Sequence, residues 1–325
     1  MTSIKEVATL AGVGSGTVSR YINQSGYVSE ESSKKIEAAI KKLNYKPNEL
    51  ARNLILNRSQ IIGLMLPNIE HPFFSKFLKY TEMELYKNNY KVIVCNATDL
   101  SRRQSDFLNL LENNVLDGLI TGIDRWDDDR LGLIQKPIVS LDRNWGNSVP
   151  LVHSDHIKAG NLLSERVLQA NCRHLTHFST SGHDSEPFAM RDIILLSALR
   201  KAGVEISHVE IGWNMMDFEY SNNVVEEYMG MISSCDSIYS GDLIAISCLN
   251  IAHKIGIRVP EDLKIISNDG INLTTLSYPV ITCVKQNIPE LAATCVKTIL
   301  DLINHVPNVP HEQIVDVSFQ DGGTM

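Results

Sequence analysis

The stretch "AGVGSGTVSRYINQ", residues 11–24, sets three glycines at alternate positions, Gly12, Gly14 and Gly16, with Ser15 and Thr17 among them. A glycine-rich turn of this kind either cradles a phosphate or aims a helix. A phosphate loop follows a buried strand, opens a helix and, in its P-loop form, carries Gly-Lys-Ser/Thr. The preceding "SIKEVATLA" instead repeats Ile4, Val7, Ala8 and Ala11 at i, i+3, i+4 and i+7, which is the period of a helix. The first basic residue after the glycines is Arg20. The context speaks against a nucleotide loop.

Helix, tight turn, helix is the better reading. Gly12 suits the left-handed residue that ends a first helix, and Ser15 suits the N-cap of a second. Val18 and Ile22 then face the first helix, while Ser15, Gly16, Thr17, Ser19 and Arg20 face outward. In a third helix Ser29 is the expected N-cap, Glu30 and Glu31 suit the positive end of the dipole, and Ile36, Ile40 and Leu43 form the buried face. Three short helices with a polar outer side on the second describe a helix-turn-helix DNA reader. An ordinary three-helix mini-domain has the same pattern, so charge has to separate the two.

The whole chain is acidic, with 30 Lys+Arg against 38 Asp+Glu and a net charge of −8. Residues 1–60 nevertheless hold nine basic side chains against five acidic ones, so the remainder carries −12. An acidic body repels phosphate backbones, and nucleic acid should meet only the N-terminal piece. The segregation favours the DNA reading.

Beyond the third helix, Pro47 breaks the helical run, Asn48 is a good N-cap, and "ELARNLIL" has room for two helical turns. So short a helix is marginal alone in water. From residue 60 onward, short apolar runs ("IIGLMLP", "YKVIVCN", "DGLITG", "PIVSL", "HLTHFST", "DSIYS", "LKIISND") alternate with amphipathic stretches. Such alternation implies doubly wound parallel sheets. A body of about 265 residues exceeds the usual single core, which points to two lobes.

The segments "SIKEVATLAGVGSGTVSRYIN", "GYVSEES", "KKLNYKPNELARNL" and "IIGLMLPN", in this order and spacing, resemble the start of a LacI/GalR-family bacterial transcription regulator. The resemblance continues through "DGLITG", "LDRN", "RVPEDLKIISND" and "TCVKQ", and within the family it touches the sucrose-operon repressors loosely. It implies an α/β chain with an N-terminal helix-turn-helix three-helix DNA-binding domain (1–46), a hinge helix and linker (47–59), and a periplasmic-binding-protein-like effector and dimerisation domain (60–325). It also implies two lobes, about 60–156 with 286–312 and about 157–285 with 313–325, and crossovers near 156, 285 and 312.

By the same resemblance, DNA contact maps onto Ser15, Gly16, Thr17, Ser19 and Arg20, and in the hinge onto Asn48, Ala51, Arg52 and Leu54. Leu54 is the hinge leucine that wedges between bases in the minor groove, kinking the duplex for a few kcal/mol of unstacking. The family usually has Ser at the position of Gly14 and often a larger side chain at Gly16. Base readout therefore leans on Arg20, whose fork suits the guanine O6 and N7 acceptors.

Ligands in doubly wound sheets sit at the carboxyl ends of strands. Strand-end candidates for effector contact are Phe73, Phe74, Asp142, Arg143, Arg191, Asp242 and Asp269, a set of carboxylates, forked cations and aromatic platforms suited to a sugar. Other readings stay open: Asp242 also suits a helix N-cap, Asp142 and Arg143 a surface pair, Phe73 and Phe74 a core, and Trp213 either lines the pocket or packs. Where the family often shows "R-x-x-G-F" and "GFDD", this chain has "RDIIL" and "SNDG".

An enzyme is the rival class, and no Walker lysine, dinucleotide fingerprint, G-x-S-x-G elbow or H-E-x-x-H supports it. Asp127 and Asp129 suit a solvated loop. The six cysteines have no C-x-x-C spacing, so neither a zinc site nor a disulfide framework is expected, and a reducing cytoplasm suits them. No metal, cofactor or membrane span is expected. One helix-turn-helix reads a half-site, so a homodimer on palindromic operator DNA is expected, released by a sugar or sugar phosphate. A corepressor-type regulator answering to a purine or partner protein, and a sugar receptor that does not bind DNA, are the alternatives.

Overall fold

The computed structural model describes residues 3–23, 25–46, 58–97, 100–123, 134–180, 186–212 and 217–325. It falls into two compact units, Met1–Ser59 and Gln60–Met325. Pro47, Asn48, Ala51, Arg52 and Leu54 of the expected hinge, together with Asp127, Asp129 and Trp213, lie outside the described residues.

Among its described residues the first unit has three helices, α1 (Ile4–Ala11), α2 (Ser15–Asn23) and α3 (Glu30–Leu43). Ser3 and Glu6 cap α1 reciprocally: the Ser3 amide donates to Glu6 Oε2 at 2.6 Å and the Glu6 amide to Ser3 Oγ at 3.3 Å. Gly12 closes α1 at φ 67°. The start of α2 differs from the sequence reading. Ser15 is its first helical residue, not its cap, and Gly14 O receives the amides of Thr17 and Val18 at 2.9 and 3.2 Å. A cap glycine has no side-chain acceptor, so the backbone alone closes the first turn. Ser29 caps α3 as expected, accepting from the Ser32 amide. Val7, Ala8, Ala11, Val18, Ile36 and Ala39 form the buried centre, with Ile22, Ile40 and Leu43 packed around it.

The second unit holds two six-stranded sheets. The first has strands β1 (Ile61–Leu66), β2 (Lys91–Asn96), β3 (Gly118–Thr121), β4 (Ile138–Leu141), β5 (Leu151–Ser154) and β11 (Glu312–Val315), in the order β2-β1-β3-β4-β5-β11 and parallel throughout. Along β1, Ile62, Leu64 and Leu66 pack with α4 (Pro72–Lys87) and α11 (Ile288–Ile303), whereas Met65 packs with α5 (Leu100–Glu112) on the other face. Strands buried on both faces read as unbroken apolar runs, which is why "IIGLML" shows no alternation.

The second sheet has β6 (His174–Ser179), β7 (Glu205–Glu210), β8 (Ser237–Gly241), β9 (Lys264–Asp269), β10 (Thr282–Gln286) and β12 (Val317–Gln320), in the order β7-β6-β8-β9-β10-β12. Only β12 among these runs antiparallel to its neighbour. Helices α6 (His156–Gln169) and α7 (Ala189–Lys201) cover one face; α8 (Phe218–Glu227), α9 (Met229–Ile232) and α10 (Asp242–Lys254) cover the other. The two lobes therefore share one strand order.

The chain crosses between lobes at Asp155, Asn287 and Asp316. Asp155 and Asn287 are at once crossovers and helix caps, accepting from the amides of Lys158 and Glu290. The third crossing corrects the expected boundary at 312. Glu312–Val315 pairs with Leu151–Ser154 as the edge of the first sheet, and the chain changes sheet only at Asp316. "EQIVDVSF" is extended on both sides of that residue, so its pattern hides the change. All six cysteines are buried and outside any disulfide; burial pushes Cys283 up to about 12, leaving an inert thiol. No helix among the described residues is long and apolar enough to cross a membrane.

Candidate functional site

A cavity of about 610 Å³ lies between the carboxyl ends of the two sheets. The first lobe lines it with Pro67 after β1, Phe73 and Phe74 in the first turn of α4, Gly122 after β3, and Leu141, Asp142 and Arg143 around the end of β4. The second lobe contributes His177 from β6, Arg191 and Asp192 from the first turn of α7, Tyr239 from β8, and Asn268 and Asp269 from β9. Gln286, at the second crossover, completes the wall.

Six of the seven effector candidates thus border one cavity: Phe73, Phe74, Asp142, Arg143, Arg191 and Asp269. Asp242 does not. It is the first residue of α10, behind the cap Gly241, and is buried. Its carboxylate accepts from Ser267 Oγ and from the Ile271 amide at 2.7 Å, fixing the loop after β9. Burial, and then the charge of Asp269, push its carboxyl well above the usual range.

Asp142 and Arg143 are not a surface pair. Asp142 Oδ1 lies 2.7 Å from His156 Nε2. Burial alone would raise its carboxyl, but His156, with His153 and Arg191, holds it below the ordinary range. Arg143 reaches across the lobes: Nη1 lies 3.4 Å from Glu186 Oε1, and the guanidinium sits over the Phe188 ring at 4.7 Å. The Asn144 amide adds a hydrogen bond to Glu186 Oε2 at 3.1 Å.

Arg191 is a half-buried cation of the second lobe whose Nε is fully buried. Burial opposes its charge, yet Tyr239, Asp192, Asp269 and Asp142 around it raise its affinity for the proton further. Its Nε makes no hydrogen bond, lying 3.4 Å from Asp192 Oδ1. A buried donor left in this state costs about 1–3 kcal/mol, which a ligand oxygen can offset. Gly160 on α6 makes room for this turn, since a Cβ there would lie 2.7 Å from Arg191 O.

A polar web runs behind the wall. Ser154 Oγ donates to Gln286 Oε1 at 2.6 Å, and Gln286 Nε2 donates to Asp269 Oδ1 at 2.6 Å. Asn268 Nδ2 reaches the same oxygen at 3.0 Å. Tyr239 Oη lies 2.8 Å from both Asn268 Oδ1 and Asp192 Oδ1, and its single hydrogen serves one at a time. The His177 ring stacks on Tyr239 at 5.1 Å and 13°; burial presses its pKa down to about 4, with Asp192 opposing. Sequence reasoning missed Asp192, His177, Tyr239, Asn268 and Gln286. Their available signals were position alone: Asn268 beside Asp269, Asp192 beside Arg191, and Gln286 closing "TCVKQ".

On the N-terminal unit, Ser15, Gly16 and Arg20 are exposed and Thr17 and Ser19 half-buried. Arg20 lies back along its helix, with Nε donating to Gly16 O at 3.3 Å. The bare Gly16 leaves nothing on that face to compete with it.

A helix-turn-helix unit together with a two-lobed body whose cavity sets a few charged groups in a largely apolar wall defines a ligand-responsive DNA-binding regulator. Residues 3–48 match the profile of bacterial regulatory proteins of the lacI family, and residues 165–325 that of the periplasmic binding protein-like domain. The sucrose operon repressor of Streptococcus mutans is 33% identical over 99% of both chains. The ribose operon repressor of Bacillus subtilis is 31% identical over 94% of this chain and 93% of its own. Among solved structures, the Lac repressor bound to ONPG in the repressed state superposes with a TM-score of 0.81 at 22% identity, covering 100% of this chain and 99% of that one. The chain belongs to the LacI family of bacterial regulatory proteins. It is a DNA-binding regulator with a periplasmic binding protein-like domain.

Proposed function

We propose that this repressor acts as a cytoplasmic homodimer on a palindromic operator and is released when a sugar of the sucrose class, free or phosphorylated, fills the cavity between the lobes. The observation that carries the reading is the wall itself. Carboxylates (Asp142, Asp192, Asp269) and a half-buried guanidinium (Arg191) converge from two lobes beside the Phe73–Phe74 pair. Such a mixture suits vicinal hydroxyls on one side and the apolar face of a pyranose or furanose on the other.

Asp142, Arg143, Phe73 and Phe74 hold the ligand from the first lobe, Arg191 and Asp269 from the second. Ligand that contacts both favours one relative arrangement of the lobes, by no more than its difference in affinity for the two. Ser15, Thr17, Ser19 and Arg20 meet the operator, and Asn48, Ala51, Arg52 and Leu54 form the hinge that inserts into its minor groove. The protein works by binding, with no reaction assigned to the cavity.

A thermal-shift screen of sugars, sugar phosphates and purines tests this, because a ligand of the native state raises the melting temperature. Stabilisation by sucrose, its hexoses or their phosphates supports the reading. Stabilisation by a purine alone replaces it with the corepressor type.

A further inference from the structure

Beside the effector cavity, around the first crossover, three side chains from separate elements bring their donor atoms together. Asp142 follows β4, His153 is on β5, and His156 opens α6; one ligand atom from each lies within 4.8 Å of the others. The two imidazoles are stacked, 5.9 Å apart and 7° from parallel, and both histidines are buried. On the outer side Glu312, from the edge strand β11, brings Oε1 to 2.9 Å from His153 Nε2.

The hydrogen bonds fix the ring of His153. Its Nδ1 lies 2.7 Å from Ser154 O, and a carbonyl only accepts, so that nitrogen carries its hydrogen. A metal-binding histidine is held in the same way, its second nitrogen donating to a backbone carbonyl. The remaining nitrogen, Nε2, then turns a lone pair toward the carboxylate of Glu312, itself an acceptor. A ring lone pair facing a carboxylate, at His153 and Glu312, calls for a positive centre between them, and Asp142 and His156 stand beside it with a carboxylate and a second imidazole. A His₂ set with carboxylate oxygens, lying where strand ends and an edge strand hold it, is a ligand set for a borderline divalent ion such as Zn²⁺.

We propose that Asp142, His153 and His156, with Glu312 as a fourth ligand, bind one divalent transition-metal ion of the Zn²⁺ type. Asp142 moves off its 2.7 Å contact with His156 to admit the ion. The bound metal joins β4, β5, β11 and the start of α6, and so fastens the first crossover. Because Asp142 also lines the effector cavity, metal and effector share one residue. No C-x-x-C or H-E-x-x-H spacing announces the set, since the fold rather than the sequence brings it together.

The test is a Co(II) titration of the chelator-stripped, full-length protein, read by visible ligand-field bands and by equilibrium dialysis, and repeated with Zn(II) as competitor. One equivalent bound with tetrahedral-type bands, and displaced by Zn(II), is the expected result. His153→Gln should abolish that equivalent. Glu312→Gln, which alters a side chain 56% exposed and so leaves folding intact, should weaken it at least about tenfold. If His153→Gln fails to fold by circular dichroism, Glu312→Gln decides alone. No stoichiometric uptake by the wild type, or uptake equally tight in the folded variants, overturns the proposal and leaves protons as the only positive charge in the cluster.

Discussion

Asp142 and Asp269 stand at the equivalent turn of the two lobes: one follows β4 and the other ends β9, the corresponding fourth strands of sheets with the same order. Both have positive φ, 59° and 95°. A non-glycine residue in that region is uncommon, costs of order 1–3 kcal/mol and persists only where its surroundings impose it. The two lobes thus present matched carboxylates to one cavity from matched, strained turns. Asp269→Ala should weaken effector binding about 10–100-fold, the range for a lost charged hydrogen bond, and leave operator binding without effector near normal. Isothermal titration with the stabilising sugar checks the first part and operator anisotropy the second. Unchanged sugar affinity would remove Asp269 from the site.

Gly160 sets the distance between α6 and the turn that carries Arg191. An added Cβ would lie 2.7 Å from Arg191 O and 2.8 Å from Ile194 Cβ, and backbone atoms cannot give way as a flexible side chain does. Gly160→Ala should cost about 1–3 kcal/mol in stability, the usual range for overpacking, and should weaken sugar binding through displacement of Arg191. Urea unfolding and sugar titration on the same preparation measure both. Loss of stability with sugar affinity intact would show that α7 shifts without moving Arg191.

His177 makes an acid-sensitive contribution. Its folded pKa lies at about 4 against an ordinary value of 6.5, because the buried ring is charged only at a cost. The neutral ring's contribution is complete above pH 6.5 and is lost as pH falls toward 4, by up to about 3 kcal/mol at 1.36 kcal/mol per unit. His177→Gln should flatten this part of the stability profile relative to wild type. Parallel slopes between pH 6.5 and 4 would contradict it.

Arg20 is the only basic side chain on α2. Arg20→Ala should cost about 1–3 kcal/mol of operator affinity and relax preference at one base pair. Binding measured on operator and on unrelated duplex distinguishes roles: an equal loss on both makes Arg20 a phosphate contact.

The alternation of apolar runs and amphipathic stretches made the doubly wound body legible, and Ile4, Val7, Ala8 and Ala11 made the first helix so. Phe73, Asp142, Arg191 and Asp269 were legible as strand-end or helix-start polar and aromatic groups. Tyr239, Asn268 and Gln286 were not, because each lies inside or at the end of a strand and owes its place on the wall to pairings across the sheet. Asp242 misled for the opposite reason. A carboxylate after a strand looks the same in sequence whether it faces the ligand or fastens the neighbouring loop through Ser267 and Ile271. The third crossover escaped because one extended run serves two sheets.

The central claim, that sugar held between the lobes frees the operator, meets its most direct test in one titration. Wild-type protein is bound to a fluorescent palindromic duplex recovered by selection from random DNA, and anisotropy is followed as sucrose, its hexoses or their phosphates are added. A coupling of about 1–3 kcal/mol is typical of such links, so saturating sugar should weaken operator binding roughly 5–150-fold. Operator affinity unchanged or tightened by a sugar that demonstrably occupies the cavity would contradict the account.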